Sequence, residues 1–103
     1  MNENEFNEQA DAVFARIEQA LDNCEEDIDY DSNGSVLEME FGDGSQVVVN
    51  RHVPNREIWL AAKSGGFHYS FQDGQWFSQR DGSELFDKLG ELVRLGTGKR
   101  TEF

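Results

Sequence analysis

Seven carboxylates fall within residues 18–31, EQALDNCEEDIDYD: Glu18, Asp22, Glu25, Glu26, Asp27, Asp29 and Asp31, with no basic residue between them. Carboxylate oxygens are hard donors, suited to hard di- or trivalent metal ions but with little means of choosing among them. Spacing limits what they can hold. On a strand face, Asp27 and Asp29 would stand roughly 7 Å apart, too far to close a dehydrated site by themselves. The expected chemistry is several weak, mostly water-filled metal sites. The same charge would also suit a basic protein surface, where it would steer encounter and fix orientation. The competing reading of such a run is a solvated face. Self-repulsion makes so concentrated a field costly to the compact state, which argues for an outside partner.

A second stretch, NRHVPNREIWLA at 50–61, sets Trp59 among Asn50, Arg51, Asn55 and Arg56. If Ile58 and Leu60 face the core, Trp59 faces out, and an exposed Trp in such company has the composition of an interface hot spot. The competing reading is a strand whose alternation slips at Pro54 and buries Trp59.

Other chemistries fit less well. Asp27, Asp29, Asp31 and Glu38 match four positions of an EF-hand loop, but Ser32 stands where that loop needs Gly, and Ile28 and Tyr30 alternate as in a strand. His52 and His68 lack the helical spacing or nearby cysteines of a zinc site. Cys24 is alone, so no internal disulfide can form, and its acidic neighbours disfavour the reactive thiolate. No nucleophile elbow or Gly-rich phosphate loop is present.

The elements that must position these residues follow from periodicity. Phe6, Ala10, Val13, Phe14, Ile17 and Leu21 recur at helical spacing, predicting an amphipathic helix over 4–23. Glu8, Asp11, Glu18, Asp22 and Glu25 form a second stripe about a third of a turn away. Strands are predicted at 27–31, 36–41, 45–51, 57–62, 67–71 and 75–77, punctuated by Ser32-Asn33-Gly34, Gly42-Asp43-Gly44, Pro54, Ser64-Gly65-Gly66 and Asp73-Gly74. Asp81 and Glu84 resemble a capping box for a second helix over 82–95, which Gly96 and Gly98 should end, with 99–103 free to fray. A run of strands between two helices argues an α+β fold: a two-layer α-β-α sandwich, with the N- and C-terminal helices on one face of a five- to six-stranded antiparallel sheet.

At 103 residues with 37% hydrophobic content, the chain is expected to fold as one domain over 1–103. Charge is unevenly placed: residues 1–50 carry 14 acidic residues and one basic, Arg16, whereas 51–103 carry 7 and 8, for a net of −12. That balance argues against binding nucleic acid or an anionic membrane surface. With no long apolar run and no leader-like N-terminus, a cytoplasmic protein is expected.

The chain resembles bacterial frataxin of the CyaY type over essentially its whole length. The likeness is carried by EFNEQADAVFARIEQALD, by DIDYDSNGSVLEMEF with GDGSQVVVNR, and by NRHVPNREIWLAAKSGGFHYSF with DGQWF. The Asn-Arg-x-x-Pro…Ile-Trp-Leu-Ala core is the most specific part. The resemblance implies the α-β-α sandwich, no enzyme activity, and an iron-binding regulator of iron–sulfur cluster assembly. Such a protein would hold iron (Fe2+ or Fe3+) weakly on surface carboxylates and bind the cysteine desulfurase–scaffold complex. It places the iron ridge on the seven carboxylates above and a sheet-surface partner site on Asn50, Pro54 and Trp59. Glu18 and Asp22 would also meet a basic patch of the desulfurase. A monomer is expected. Gln19 and Asn23 stand where relatives often carry acids, and Glu57 where they usually carry Gln. The alternative is a metal-independent acidic module that occupies a basic site on another protein.

Overall fold

A computed structural model describes all 103 residues. Helix α1 spans Glu3–Asp22 and helix α2 spans Leu85–Thr97. Between them run β1 (Ile28–Ser32), β2 (Val36–Phe41), β3 (Gln46–His52), a 3-10 turn (Val53–Asn55), β4 (Glu57–Ala62), β5 (Gly65–Gln72) and β6 (Gln75–Ser78). The strands pair antiparallel in sequence order, β1 to β6, in one six-stranded sheet. This is the α+β sandwich that the pattern predicts. Residues 27–38 form a strand, a turn and a strand rather than an EF-hand loop.

Alternation decides which side chains meet the helices. Leu37, Met39, Val47, Val49, Ile58, Leu60, Phe67 and Tyr69 point inward and are buried with the six apolar residues of α1 and with Leu85, Leu89, Leu92 and Val93 of α2. Trp76 from β6 packs edge-on against Phe6 and Phe71. The other sheet face is left to solvent.

Local chemistry sets the helix ends. Asn2 caps α1: its side chain accepts from the Glu5 N–H while the Glu5 carboxylate accepts from the Asn2 N–H, a reciprocal pair that satisfies two free donors. At α2 the cap is Glu84, which accepts from the Phe86 and Asp87 N–H groups. Asp81 instead closes a turn onto Ser83, so the expected box there does not form. Gly98, at φ 90°, ends α2 in the left-handed conformation that favours glycine. Gly96 lies inside the helix, where a Cβ would stand 2.3 Å from the Phe41 ring, and its glycine lets α2 approach β2.

The C-terminal segment is packed, not frayed. The Arg16 guanidinium lies over the Phe86 ring at 3.8 Å and donates to the Phe103 carbonyl at 2.8 Å. The Thr101 hydroxyl meets Cys24 Sγ at 3.3 Å, and Phe103 packs against the core. The single cation of the first 50 residues is thus spent on holding both the second helix and the tail. No helix is long and apolar enough to cross a membrane.

Candidate functional site

The seven ridge carboxylates occupy three places. Glu18 and Asp22 sit on the last turns of α1, Glu25, Glu26 and Asp27 on the link to β1, and Asp29 and Asp31 on β1 itself. All but Glu18 and Glu26 are exposed. No basic residue lies in the last turn of α1 to offset the partial negative charge of the helix end. The nearest cation to the link is Lys99, 3.9 Å from Glu26.

These side chains do not share one plane. Tyr30 lies between Asp29 and Asp31, so strand alternation turns it toward the helix layer and turns its neighbours away. Its hydroxyl donates to Asp22 Oδ1 at 2.5 Å. That bond, partial burial and the nearby charges of Asp22 and Glu18 push the Tyr30 pKa up to about 12. Since β1 is the terminal strand, the acidic surface wraps around the free edge of the sheet, from the helix side to the open face.

Register adds two residues to it. Asp29 lies opposite Glu40 and Asp31 opposite Glu38. Opposed side chains on antiparallel strands stand about 4.5–5.5 Å apart at Cβ, closer than neighbours along one strand. With Gln46 they line a shallow depression of about 170 Å³ on the open face. The outward parity of Glu38 and Glu40 was legible in the alternation, but their pairing with β1 needed the hairpin register. Even so, no three His, Cys, Asp or Glu side chains converge on a point that could hold one metal ion. The donor set suits hard cations that keep much of their water.

The open face also carries Trp59. Asn50 lies directly opposite it on β3 and His68 opposite it on β5. Trp59 is half-buried, its indole N–H donating to Glu57 Oε1 at 2.8 Å. Pro54 is exposed in the 3-10 turn that follows β3. Arg51 does not join this group. It has the inward parity of Val47 and Val49, its side chain is only 11% exposed, and it pairs with Asp11 of α1 at 2.7 Å while lying over the Phe14 ring. Grouping Arg51 with the residues around Trp59 on the open face is corrected on that ground: it ties α1 to β3.

A frataxin-like domain model matches residues 1–99. The iron–sulfur cluster assembly protein CyaY of Neisseria meningitidis serogroup B is 44% identical over 102 residues, covering 99% of this chain and 95% of the relative. The protein of the same name from Vibrio cholerae is 49% identical over 89 residues, 86% of each chain. Among solved structures, frataxin from Psychromonas ingrahamii superposes with a TM-score of 0.94 at 32% identity, covering 99% of this chain and 97% of that one. Trimeric frataxin from the yeast Saccharomyces cerevisiae, complexed with ferrous iron, gives 0.74 at 29% identity, with 88% and 87% covered.

Proposed function

From the premise that this chain belongs to the frataxin-like family, we propose that it is a non-enzymatic, iron-binding regulator of iron–sulfur cluster assembly. It acts by docking on the cysteine desulfurase–scaffold complex. The observation that carries this reading is the acidic surface folded around the β1 edge, where Asp29 and Asp31 face Glu40 and Glu38 and no basic residue lies in the last turn of α1. Iron is cargo on that surface. Glu18, Asp22, Glu25, Glu26, Asp27, Asp29 and Asp31, with Glu38 and Glu40, would hold it through one or two carboxylates at a time, the rest of its shell being water. Glu18 and Asp22 double as contacts for a basic patch on the desulfurase, so metal and desulfurase compete in part for the same charge. Asn50, Pro54 and Trp59 form a second contact on the sheet face. The protein works as a cytoplasmic monomer.

Two measurements test this. A pull-down with the protein as bait should bring down a cysteine desulfurase; a nuclease or DNA-binding protein in its place would favour a metal-independent acidic inhibitor. NMR-resolved titration with ferrous iron should perturb α1, its link and β1–β2 at several weak sites. One submicromolar, fully dehydrated site elsewhere would overturn the metal reading.

A further inference from the structure

The indole of Trp59 is held on three sides. His52 stacks on one face, with ring centroids 3.8 Å apart and planes 8° from parallel. His68 stacks on the other at 4.2 Å and 6°. The N–H is taken by Glu57, whose carboxylate also lies 3.9 Å from His68 Nδ1. Glu57 is 17% exposed and His68 56%, so the clamp closes toward the sheet and opens toward solvent. The sheet register builds it: His52 stands opposite Glu57 and His68 opposite Trp59, all four on the outward parity of three adjacent strands.

We propose that His52, His68 and Glu57 are positioning residues that hold the Trp59 indole in one preformed orientation, so that a docking partner meets its ring edge and not its face. The inference rests on Trp59 being a partner contact. Its consequence is specificity. The face of an aromatic ring is the negative end of its quadrupole and the edge the positive end. With both faces covered, a partner Arg or Lys has no face on which to stack. The edge suits a pocket lined by apolar groups and acceptors, such as backbone carbonyls or the face of another aromatic ring. Basic groups of the partner belong instead at the β1–β2 edge, where the carboxylates are. Holding the indole beforehand also spares its ordering at the moment of binding.

The free protein gives the first test. The indole N–H resonance of Trp59, assigned with Trp59→Phe, should show a strong ring-current shift and slow exchange. His52→Ala and His68→Ala should abolish both, His68→Phe should restore them, and Glu57→Gln, which keeps the acceptor, should retain them where Glu57→Leu does not. Binding to the purified scaffold protein gives the second. His68→Ala should weaken it by about 2- to 10-fold, the worth of one stacked ring pair, and His68→Phe should recover it. An indole resonance unmoved by both alanine variants overturns the clamp, whatever the partner does. A freed indole with unchanged scaffold affinity overturns its role in recognition. If Trp59→Ala itself leaves scaffold binding intact, the contact reading fails and the recognition half of the proposal falls with it, while the resonance still decides the clamp.

Discussion

Reversing charge at Glu18 and Asp22 should separate docking from folding. Both carboxylates lie on the final turns of α1, four residues apart, on a helix with no basic residue at its C-terminal end. Lysines at both positions would replace one like-charge i, i+4 pair with another, so that penalty of about 0.2–0.5 kcal/mol stays in place. They would complement the helix dipole by about 0.3–1 kcal/mol each at low salt. Against this stands one interaction that the structure reveals: Asp22 accepts the Tyr30 hydroxyl. Losing that bond at a half-exposed position costs about 0.5–1.5 kcal/mol. The terms nearly cancel, so Glu18→Lys/Asp22→Lys should melt close to wild type. Under the proposed docking of the ridge on a basic surface, partner binding should change far more, because rim charges act chiefly on the association rate. Calorimetry with the cysteine desulfurase at low and physiological salt reads the effect. Wild-type affinity should fall steeply as screening shortens to about 8 Å, and the double variant should bind weakly at both concentrations. The proposed regulation of cluster assembly should be lost in parallel. Salt-independent binding that the double variant retains in full would refute the reasoning and leave the ridge a solvated face.

Three further outcomes follow from the packing. Trp59→Ala removes two stacked ring pairs and one hydrogen bond, each worth about 0.5–1.5 kcal/mol, so it should cost about 1.5–4.5 kcal/mol in a urea melt, overlapping the 3–5 kcal/mol of a core aromatic, and should weaken scaffold binding by about 2 kcal/mol or more. Gly96→Ala would ordinarily gain helix propensity, but its Cβ would meet Phe41 at 2.3 Å, and overpacking of that kind costs about 1–3 kcal/mol; a raised melting temperature would contradict the close approach of α2 to β2. In alkali, Tyr30, held by Asp22, and Tyr69, pushed up by burial against an opposing Ser83 bond, both titrate near 12 rather than the ordinary 10. Their folded-state values are raised, so their contribution to stability is complete below pH 10 and is lost as pH rises through 12, and Tyr30→Phe should remove the Asp22-linked part of that loss.

What was legible in the sequence was whatever short-range periodicity carries. The apolar spacing of Phe6 to Leu21 and the alternation of VLEMEF placed α1 and β2 to within a residue or two. Turn residues marked each hairpin. Alternation also contained the answer for Arg51, which shares the parity of Val47 and Val49; its composition-based grouping with Trp59 overrode that signal. The Asn2–Glu5 box was likewise open to reading, as an Asn followed three residues later by a Glu. Longer-range facts were not. Which strand faces Asp29, what covers the faces of Trp59, and where Phe103 lands all depend on contacts between distant residues. Nothing local holds the tail in place; Arg16, 87 positions from Phe103, does.

The placement of charge on β1 and β2 bears on why the ridge is there at all. A terminal strand exposes unpaired backbone groups, and charged side chains on it discourage pairing with another chain. Edge protection alone would account for Asp29 and Asp31. It does not account for Glu38 and Glu40, which sit on β2, already paired on both sides, and directly oppose the two aspartates. Like charges directly opposite each other destabilise a sheet, and a lysine at either β2 position would protect the edge as well while removing the conflict. Two repulsive pairs side by side are therefore a cost without a folding return. They do concentrate negative potential on the open face beside Gln46, at the end of the sheet nearest the acidic end of α1. That arrangement makes sense when a cation or a basic surface arrives to neutralise it, and it predicts that Glu38→Lys should stabilise the isolated protein while weakening both iron uptake and desulfurase binding. Paired melting and binding measurements on that variant distinguish a functional field from edge protection: stability gained with binding intact would assign the β2 glutamates to neither role.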